Sequence, residues 1–139
     1  MRKIVFFIIS LLIISCKASY KTTDSYTRCV VSILFESGVS KLSKENKEEV
    51  LRVSKILKQE KSKNFRWEIR GHSDSIESPN NNLKISYQRA QNVKEFLIKK
   101  GIDPFLLSVR AIGSKEPVAP YNSNYIIQNR RVEFRLIKN

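Results

Sequence analysis

Two short stretches, GHSDS at residues 71–75 and NLKISYQRAQNV at residues 82–93, decide how this chain folds. The first follows FRWEIR, residues 65–70, where apolar and charged residues alternate as they do in a β-strand with one wet face. The second has apolar residues at helical spacing, and it places Asn82, Ser86 and Arg89 on one helix face. Asp74 lies just past the strand end, facing the free N–H groups at a helix N-terminus, where anions are attracted. Together the two stretches predict a polar pocket between the strand end and the helix start.

The segments on either side continue an alternation of strands and helices. Apolar residues on both faces of residues 29–35 predict a strand that is buried on both sides. Residues 44–60 form an amphipathic helix with Ser43 as its N-cap, and Gly101 ends a second helix over residues 83–100. Strands at residues 106–112 and 131–137 flank a polar, proline-interrupted stretch. The order is therefore β-α-β-α-β-β.

This order predicts an α/β sandwich, a mixed sheet with both helices packed on one face. The opposite face is predicted to be wet, because charged residues occupy its positions in the second and fourth strands: Arg66, Glu68, Arg70, Arg131, Glu133 and Arg135.

Composition narrows the chemistry. The 139 residues are enough for one domain plus accessory segments. One His and two Cys exclude a His-rich metal site and a Cys-based zinc cluster, and no cofactor is expected. With 26 basic and 13 acidic residues, the net charge of +13 favours an anionic partner.

The N-terminus predicts export and lipidation. A basic start precedes an apolar run at residues 4–14, which is too short to span a bilayer comfortably and is typical of a secretory signal peptide, residues 1–15. The run ends in Ile-Ile-Ser-Cys, which resembles the bacterial lipobox, where the signal peptidase cuts before the Cys and its thiol carries diacylglycerol. Cys16 is the expected lipidation site. Cleavage removes Arg2 and Lys3, so the net charge falls from +13 to +11.

Export argues against nucleic acid as a partner and favours lipid and cell-wall polymer. Residues 16–26, the lipidated Cys and a polar stretch, are predicted to be a tether, and residues 27–139 one compact domain. Cys29, next to two valines, is expected to be a small buried apolar residue, with intermolecular pairing as the alternative.

The two stretches, together with Phe35, the GSKEP turn at residues 113–117 and NRRVE at residues 129–133, closely resemble the OmpA-like peptidoglycan-binding domain. The resemblance covers about residues 31–136. With the lipobox, the layout resembles that of the peptidoglycan-associated lipoproteins in this family. It implies the fold of the OmpA C-terminal domain and noncovalent binding of the peptidoglycan stem peptide.

The resemblance also implies roles for particular residues. The family's Asp and Arg clamp the zwitterionic end of the stem's diamino acid, and they correspond to Asp74 and Arg89. An ammonium pairs with a carboxylate, and a carboxylate suits the planar guanidinium fork. The remaining expected contacts are Asn82, Gly71, His72 and Ser73, with Arg130 as a further candidate. No catalytic residue and no metal ligand are implied.

The implied protein is anchored by lipid in the outer membrane, faces the periplasm, tethers that membrane to the wall, and has Tol-type envelope proteins as candidate partners. Two other functions remain open. One is a surface-displayed basic lipoprotein that binds polyanions or host matrix. The other is a wall hydrolase that uses His72 and Asp74 as acid and base. Asp74 and Arg89 could also simply pair with each other to orient the loop on the helix.

Overall fold

The computed structural model describes the backbone of residues 26–59 and 65–138 and the side chains of residues 31–59 and 65–137. The elements are β1 (Tyr26–Leu34), α1 (Lys44–Gln59), β2 (Phe65–His72), α2 (Pro79–Lys99), β3 (Leu107–Gly113) and β4 (Arg131–Lys138), with short 3₁₀ turns at Pro104–Leu106 and Ile126–Asn129. No helix within these ranges is long and apolar enough to cross a membrane. The predicted signal peptide, the lipidation site Cys16, nearly all of the tether and the side chain of Cys29 lie outside the described part.

The four strands form one mixed sheet in the order β1-β4-β2-β3. β2 and β3 are parallel, whereas β4 runs antiparallel to both β1 and β2. Both helices pack on the same face, because their buried side chains join those of the sheet in one core cluster: Ile33, Phe35, Val50, Val53, Leu57, Trp67, Ile69, Ala90, Val93, Leu97, Val132 and Phe134 among them. The predicted α/β sandwich is confirmed.

The helix ends follow from local capping. Ser43 Oγ accepts a hydrogen bond from Asn46 N at 3.1 Å, as an N-cap does, so the predicted start of α1 is confirmed. α2 begins four residues before the predicted position. Ser78 is its N-cap and Pro79 its first residue, a position that proline favours because its fixed φ suits the helix and no N–H is needed there. Gly101, with a φ of +85°, follows its C-terminal end as predicted.

The prediction that β1 is buried on both sides is wrong. Ile33 and Phe35 face the core, but Leu34 on the other face is 41% exposed. β1 lies at the edge of the sheet, and its apolar residues alternate around a strand whose second face is open to water at this position.

The prediction that the second face is wet is wrong for most of its charged residues. Arg66 is exposed, but four of the six predicted residues are buried there, together with His72. We name this group the far-face charge cluster: Glu68, Arg70, His72, Arg131 and Glu133. Residues 114–130 contact this face, since Arg70 Nη2 donates to Glu116 Oε1 at 2.6 Å. Burial here is possible because each charge meets an opposite charge nearby.

The ends of all four strands meet at one end of the sheet, which we call this edge. The C-terminal ends of the parallel strands β2 and β3 meet there, beside the start of the antiparallel strand β4 and the end of β1. α2 begins after the β2 loop, so its first turns lie over this edge. Gly71 allows the close approach: a Cβ at this position would lie 1.8 Å from the carbonyl oxygen of Ser86 in α2.

Candidate functional site

The predicted site residues converge at this edge of the sheet. β2 ends at His72, and Ser73 N donates to Gly113 O at 2.9 Å, which holds the chain beside the end of β3. Asp74 then pairs with Arg130, the residue directly before β4, and interacts electrostatically with Arg89 of α2. We name this group the strand-end site: Ser73, Asp74, Asn82, Arg89 and Arg130. All five residues are buried, at 9% exposure or less.

Arg89 is enclosed and is held by backbone oxygens. Its Nε donates to Val39 O at 2.8 Å, Nη1 to His72 O at 3.1 Å and Nη2 to Glu36 O at 3.0 Å. The guanidinium carbon lies 5.3 Å from the centre of the Phe35 ring. Three of the five N–H groups are used, which leaves one on each terminal nitrogen. Arg89 therefore joins α2 to the segment after β1 and retains two N–H groups for a further acceptor.

Asp74 pairs with Arg130 and not with Arg89. Its Oδ2 lies 3.1 Å from Arg130 Nη1 in a hydrogen-bonded ion pair, and Arg130 Nε donates to Phe35 O at 3.0 Å. No Asp74–Arg89 ion pair occurs among the described residues, so the simple pairing of these two residues is not what orients the loop. Arg130, at first only a further candidate, is the direct partner of the carboxylate.

The electrostatics of Arg89 reflect its enclosure. Burial lowers the pKa of Arg89 to about 10; the Asp74 carboxylate acts to raise this pKa and the Arg130 charge to lower it. Arg89 is still protonated at neutral pH. Two guanidinium groups and one carboxylate thus lie close together, and among these three groups one positive charge is uncompensated.

Ser73 retains unused hydrogen-bonding capacity at this site, as Arg70 and His72 do on the opposite face. The Oγ of Ser73 is buried and has no hydrogen-bond partner within residues 26–59 and 65–138. A buried polar atom without a partner is rare in native proteins, and binding of a ligand is one explanation for it. The side chains of Asp74 and Arg130 keep 9% and 11% of their exposure, so the site reaches the surface.

Asn82 and Ser86 shape the site. Asn82 Nδ2 donates to Glu77 O at 2.9 Å and so closes the loop before α2. Ser86 Oγ accepts from Gly113 N at 3.1 Å and ties the helix to the end of β3. The predicted common face is confirmed, because Asn82, Ser86 and Arg89 are all buried on the side of α2 that faces the sheet.

The carbonyl group and the imidazole of His72 lie on different faces of the sheet. Its carbonyl oxygen belongs to the strand-end site, where it accepts from Arg89. Its imidazole is 1% exposed on the opposite face, with Nε2 3.3 Å from Glu133 Oε1. Burial lowers the pKa of His72; Glu133 acts to raise it, and Arg131 and Arg70 act to lower it further. The imidazole is therefore neutral at pH 7 and does not face the strand-end site with Asp74.

Sequence reasoning missed three contributors from the segment after β1. The carbonyl groups of Phe35, Glu36 and Val39 accept hydrogen bonds from Arg130 and Arg89. No residue type marks a position whose backbone oxygen is used, so no sequence pattern could have revealed these contacts. Asn129 was part of a quoted motif, but no role was assigned to it.

A protein-family model described as "OmpA family" matches residues 34–131, more than half of the chain. The chain is 32% identical over 108 residues to motility protein B of Helicobacter pylori, a match that covers 73% of this chain and 42% of that protein. It is 29% identical over 114 residues to the peptidoglycan-associated lipoprotein of Pseudomonas aeruginosa, with 81% of this chain and 66% of that protein covered.

Solved structures share the fold. The C-terminal domain of Helicobacter pylori MotB superposes with a TM-score of 0.71 at 25% identity, covering 79% of this chain and 87% of that one. The chain spans only part of the curated relatives that it matches: 9% of photosystem I P700 chlorophyll a apoprotein A2 of Gloeobacter violaceus and 35% of outer membrane protein A of Bordetella avium. The likeness is therefore that of a shared domain.

Proposed function

The chain belongs to the OmpA family, and from this premise we propose that residues 27–139 bind peptidoglycan noncovalently through the diamino acid of its stem peptide. One observation carries the proposal: the buried carboxylate of Asp74 is paired with Arg130, interacts electrostatically with the buried guanidinium of Arg89, and follows a residue whose buried hydroxyl has no hydrogen-bond partner among the described residues. This arrangement suits a ligand end that carries both an ammonium and a carboxylate.

Each ligand group has a complementary residue. Asp74 would accept hydrogen bonds from the ligand's ammonium, with Ser73 Oγ as a further acceptor or donor. The two unused N–H groups of Arg89 would bind the ligand's carboxylate as a fork. That carboxylate would also balance the positive charge left over by Arg89, Arg130 and Asp74. Asn82 and Gly71 support the site by shaping the loop and the helix contact.

We propose a binding module and not an enzyme. The hydrolase alternative requires His72 and Asp74 to act together on one substrate. The imidazole instead lies with Glu133 on the opposite face, while Asp74 pairs with Arg130. Incubation of the purified domain with isolated sacculi should release no soluble wall fragments, and sustained release would favour the hydrolase.

In the cell, we propose that Cys16 carries the lipid anchor in the outer membrane and that the domain faces the periplasm. The tether beyond the lipid could extend about 35 Å when fully stretched, at roughly 3.3–3.6 Å per residue. Tol-type envelope proteins are candidate partners. Substitution of Cys16→Ala should move the exported protein from the detergent phase to the aqueous phase. Partitioning that does not change would argue against lipidation.

Binding to sacculi tests the site itself. Wild type, Asp74→Asn and the control Glu48→Gln are compared, since both substitutions remove one negative charge and Glu48 is exposed on α1. We expect Asp74→Asn to reduce binding by about 2–5 kcal/mol, roughly 30-fold or more, because the ligand's ammonium loses its counter-charge. Glu48→Gln should bind as well as wild type.

The salt dependence of sacculus binding distinguishes binding at the strand-end site from adsorption through the net charge of the protein. A protein of net charge about +11 adheres to any anionic polymer, but such binding fades as the screening length falls from about 10 Å at 0.1 M to about 3 Å at 1 M salt. Binding through the buried site should persist at higher salt. If Asp74→Asn binds as tightly as wild type and all binding disappears with salt, the surface-displayed polyanion binder takes the place of this proposal.

A further inference from the structure

Asn129 is a fully enclosed asparagine next to the strand-end site, and every group of its side-chain amide is engaged. It is 0% exposed. Its Oδ1 accepts from Val118 N at 2.8 Å and from Ala119 N at 3.0 Å, while its Nδ2 donates to Ala119 O at 2.8 Å. The amide therefore joins residues 118–119 to the end of the β3–β4 connection. Arg131 adds a second link from this end, since its Nη2 donates to Glu116 O at 3.4 Å.

The residue that follows is the ion-pair partner of Asp74. Arg130 N donates to Ile127 O at 3.0 Å, which closes the 3₁₀ turn that Asn129 ends. Arg130 and Phe35 then bond reciprocally: Phe35 N donates to Arg130 O at 2.8 Å, and Arg130 Nε donates to Phe35 O at 3.0 Å. From this position Arg130 Nη1 reaches Asp74 Oδ2 at 3.1 Å. The peptide bond between Asn129 and Arg130 thus joins the hydrogen bonds of the Asn129 amide to those that lead from Arg130 to the carboxylate.

We propose that Asn129 is a positioning residue for the strand-end site: it fixes the turn that presents Arg130, and through Arg130 it orients Asp74. This inference rests on the proposed function. A binding group works only when the supporting shell holds it in place, and the support here comes from a residue that does not itself contact Asp74. Arg130 likewise restricts the carboxylate to one orientation, with Oδ2 engaged and Oδ1 left for a ligand.

The chemistry of the Asn129 pocket requires an amide. Alanine would leave two N–H groups and one carbonyl of the connection without partners. Aspartate would place a carboxylate oxygen against Ala119 O in a site with no exposure, where a charge is costly. Serine retains an oxygen that could accept one of the two N–H bonds, so Asn129→Ser is the mildest disruption.

A double-mutant cycle on sacculus binding tests the proposal. The proteins are wild type, Asn129→Ser, Arg130→Ala and the double variant, measured at a temperature where urea titration shows each one folded. We expect Asn129→Ser to weaken binding about tenfold, and to have no further effect once Arg130 is alanine, because its influence passes through that residue. Asn124→Ala, an exposed asparagine in the same connection, serves as the control and should bind as wild type does.

The proposal is wrong if the fold-losses of sacculus binding in the two single variants multiply in the double variant. It is also wrong if Asn129→Ser binds like wild type. A purely structural role would lower the stability of every variant without this dependence on Arg130. Amide NMR spectra give a readout without ligand: the Ser73 and Asp74 resonances should shift in Asn129→Ser and stay in place in Asn124→Ala. Failure of wild type and Asp74→Asn to differ would instead refute the proposed function, whatever the NMR result.

Discussion

At the end of the sheet where the strand-end site lies, adjacent residues of the same chain segments contribute to opposite faces. The buried charges on these two faces are balanced to different degrees. At the end of β2, the imidazole of His72 joins the far-face charge cluster, while Asp74 belongs to the strand-end site. At the start of β4, Arg131 joins the cluster and Arg130 the site. In the cluster, Glu133 lies 3.2 Å from Arg131, 3.3 Å from His72 and 3.7 Å from Arg70.

The difference lies in the balance of charge. Glu133 faces basic groups on several sides, and Arg70 contacts carboxylates of both Glu68 and Glu116, so the cluster largely compensates itself. The strand-end site retains an excess positive charge. Among the described residues, buried polar atoms without a hydrogen-bond partner occur in both groups: Ser73 Oγ in the site, and Arg70 Nε and both ring nitrogens of His72 in the cluster. Burial and the presence of charged residues therefore do not distinguish the strand-end site from the far-face charge cluster. The net charge of the buried groups does.

The largest loss of stability is expected for a substitution in the far-face charge cluster. Glu133→Ala would leave Arg70 and Arg131 buried without their shared carboxylate, which should lower the free energy of unfolding by about 3–5 kcal/mol. Urea unfolding followed by circular dichroism measures this loss. Molecules that remain folded should still bind sacculi. A stable Glu133→Ala protein would mean that the cluster contributes little to the fold.

Arg89 both stabilises the fold and belongs to the strand-end site, so its substitution should affect stability and binding together. Arg89→Ala removes the fork and the donors of three carbonyl groups. Water that enters the space of the lost side chain would replace most of these bonds, so the net loss of stability should be about 1–3 kcal/mol. We expect loss of sacculus binding and a lower urea midpoint together. Asp74→Asn should weaken binding roughly 30-fold or more, with a smaller change in stability, because it affects one ion pair and leaves the three hydrogen bonds of Arg89 in place. Equal stability losses in the two variants would remove the distinction between them.

The imidazole makes stability depend on pH in a defined window. Because the pKa of His72 is lowered in the folded protein, the unfolded chain takes up its proton first as the pH falls below about 6.5. The free energy of unfolding should therefore decrease from pH 6.5 down to the folded pKa, by at most about 1.4 kcal/mol per pH unit. Unfolding titrations between pH 7.5 and 5.5 measure the slope.

His72→Gln is the matched variant for this test, since the chain contains only one His. Its stability should be flat over the same pH range. A slope that persists in His72→Gln would assign the pH dependence to another group.

The smallest expected effect is at the exposed end of the cluster. Glu116 bonds Arg70, but its side chain is 51% exposed, so solvent screens the pair and can replace the carboxylate. Glu116→Gln should lower the free energy of unfolding by about 0.5–1 kcal/mol and should leave sacculus binding unchanged. If Glu116→Gln lowered the free energy of unfolding as much as Glu133→Ala, then solvent would not be replacing the lost carboxylate of Glu116 beside Arg70.

Much of the fold could be predicted from local patterns. The helix over residues 44–59 follows from the Ser43 cap and the spacing of Val50, Val53 and Leu57, all of which are buried. The common face of Asn82, Ser86 and Arg89 follows from helical geometry alone. The predicted start of α2 lies four residues too late, because the Ser78-Pro79 signal falls within a run of polar residues that is typical of a loop.

The partners within the site could not be predicted in the same way. Residue types identified Asp74 and Arg89, but the ion pair of Asp74 is with Arg130, 56 residues away in the chain. The donors of Arg89 go to carbonyl oxygens, which every residue carries and which leave no trace in a sequence. The roles of Asn82 and Ser73 as ligand contacts stay predictions that binding measurements will test.

The sequence by itself determined the elements, their order and the residue types available at each strand end, because helix caps, turns and hydrophobic periods act over a few neighbouring residues. Only the tertiary structure decided which charges are compensated. Alternation along β2 and β4 looks the same for a wet face as for a buried one, and the β3–β4 connection, through Glu116 and Asn129, determines the difference. That outcome depends on contacts between distant segments, and their energies exist only once the chain has folded.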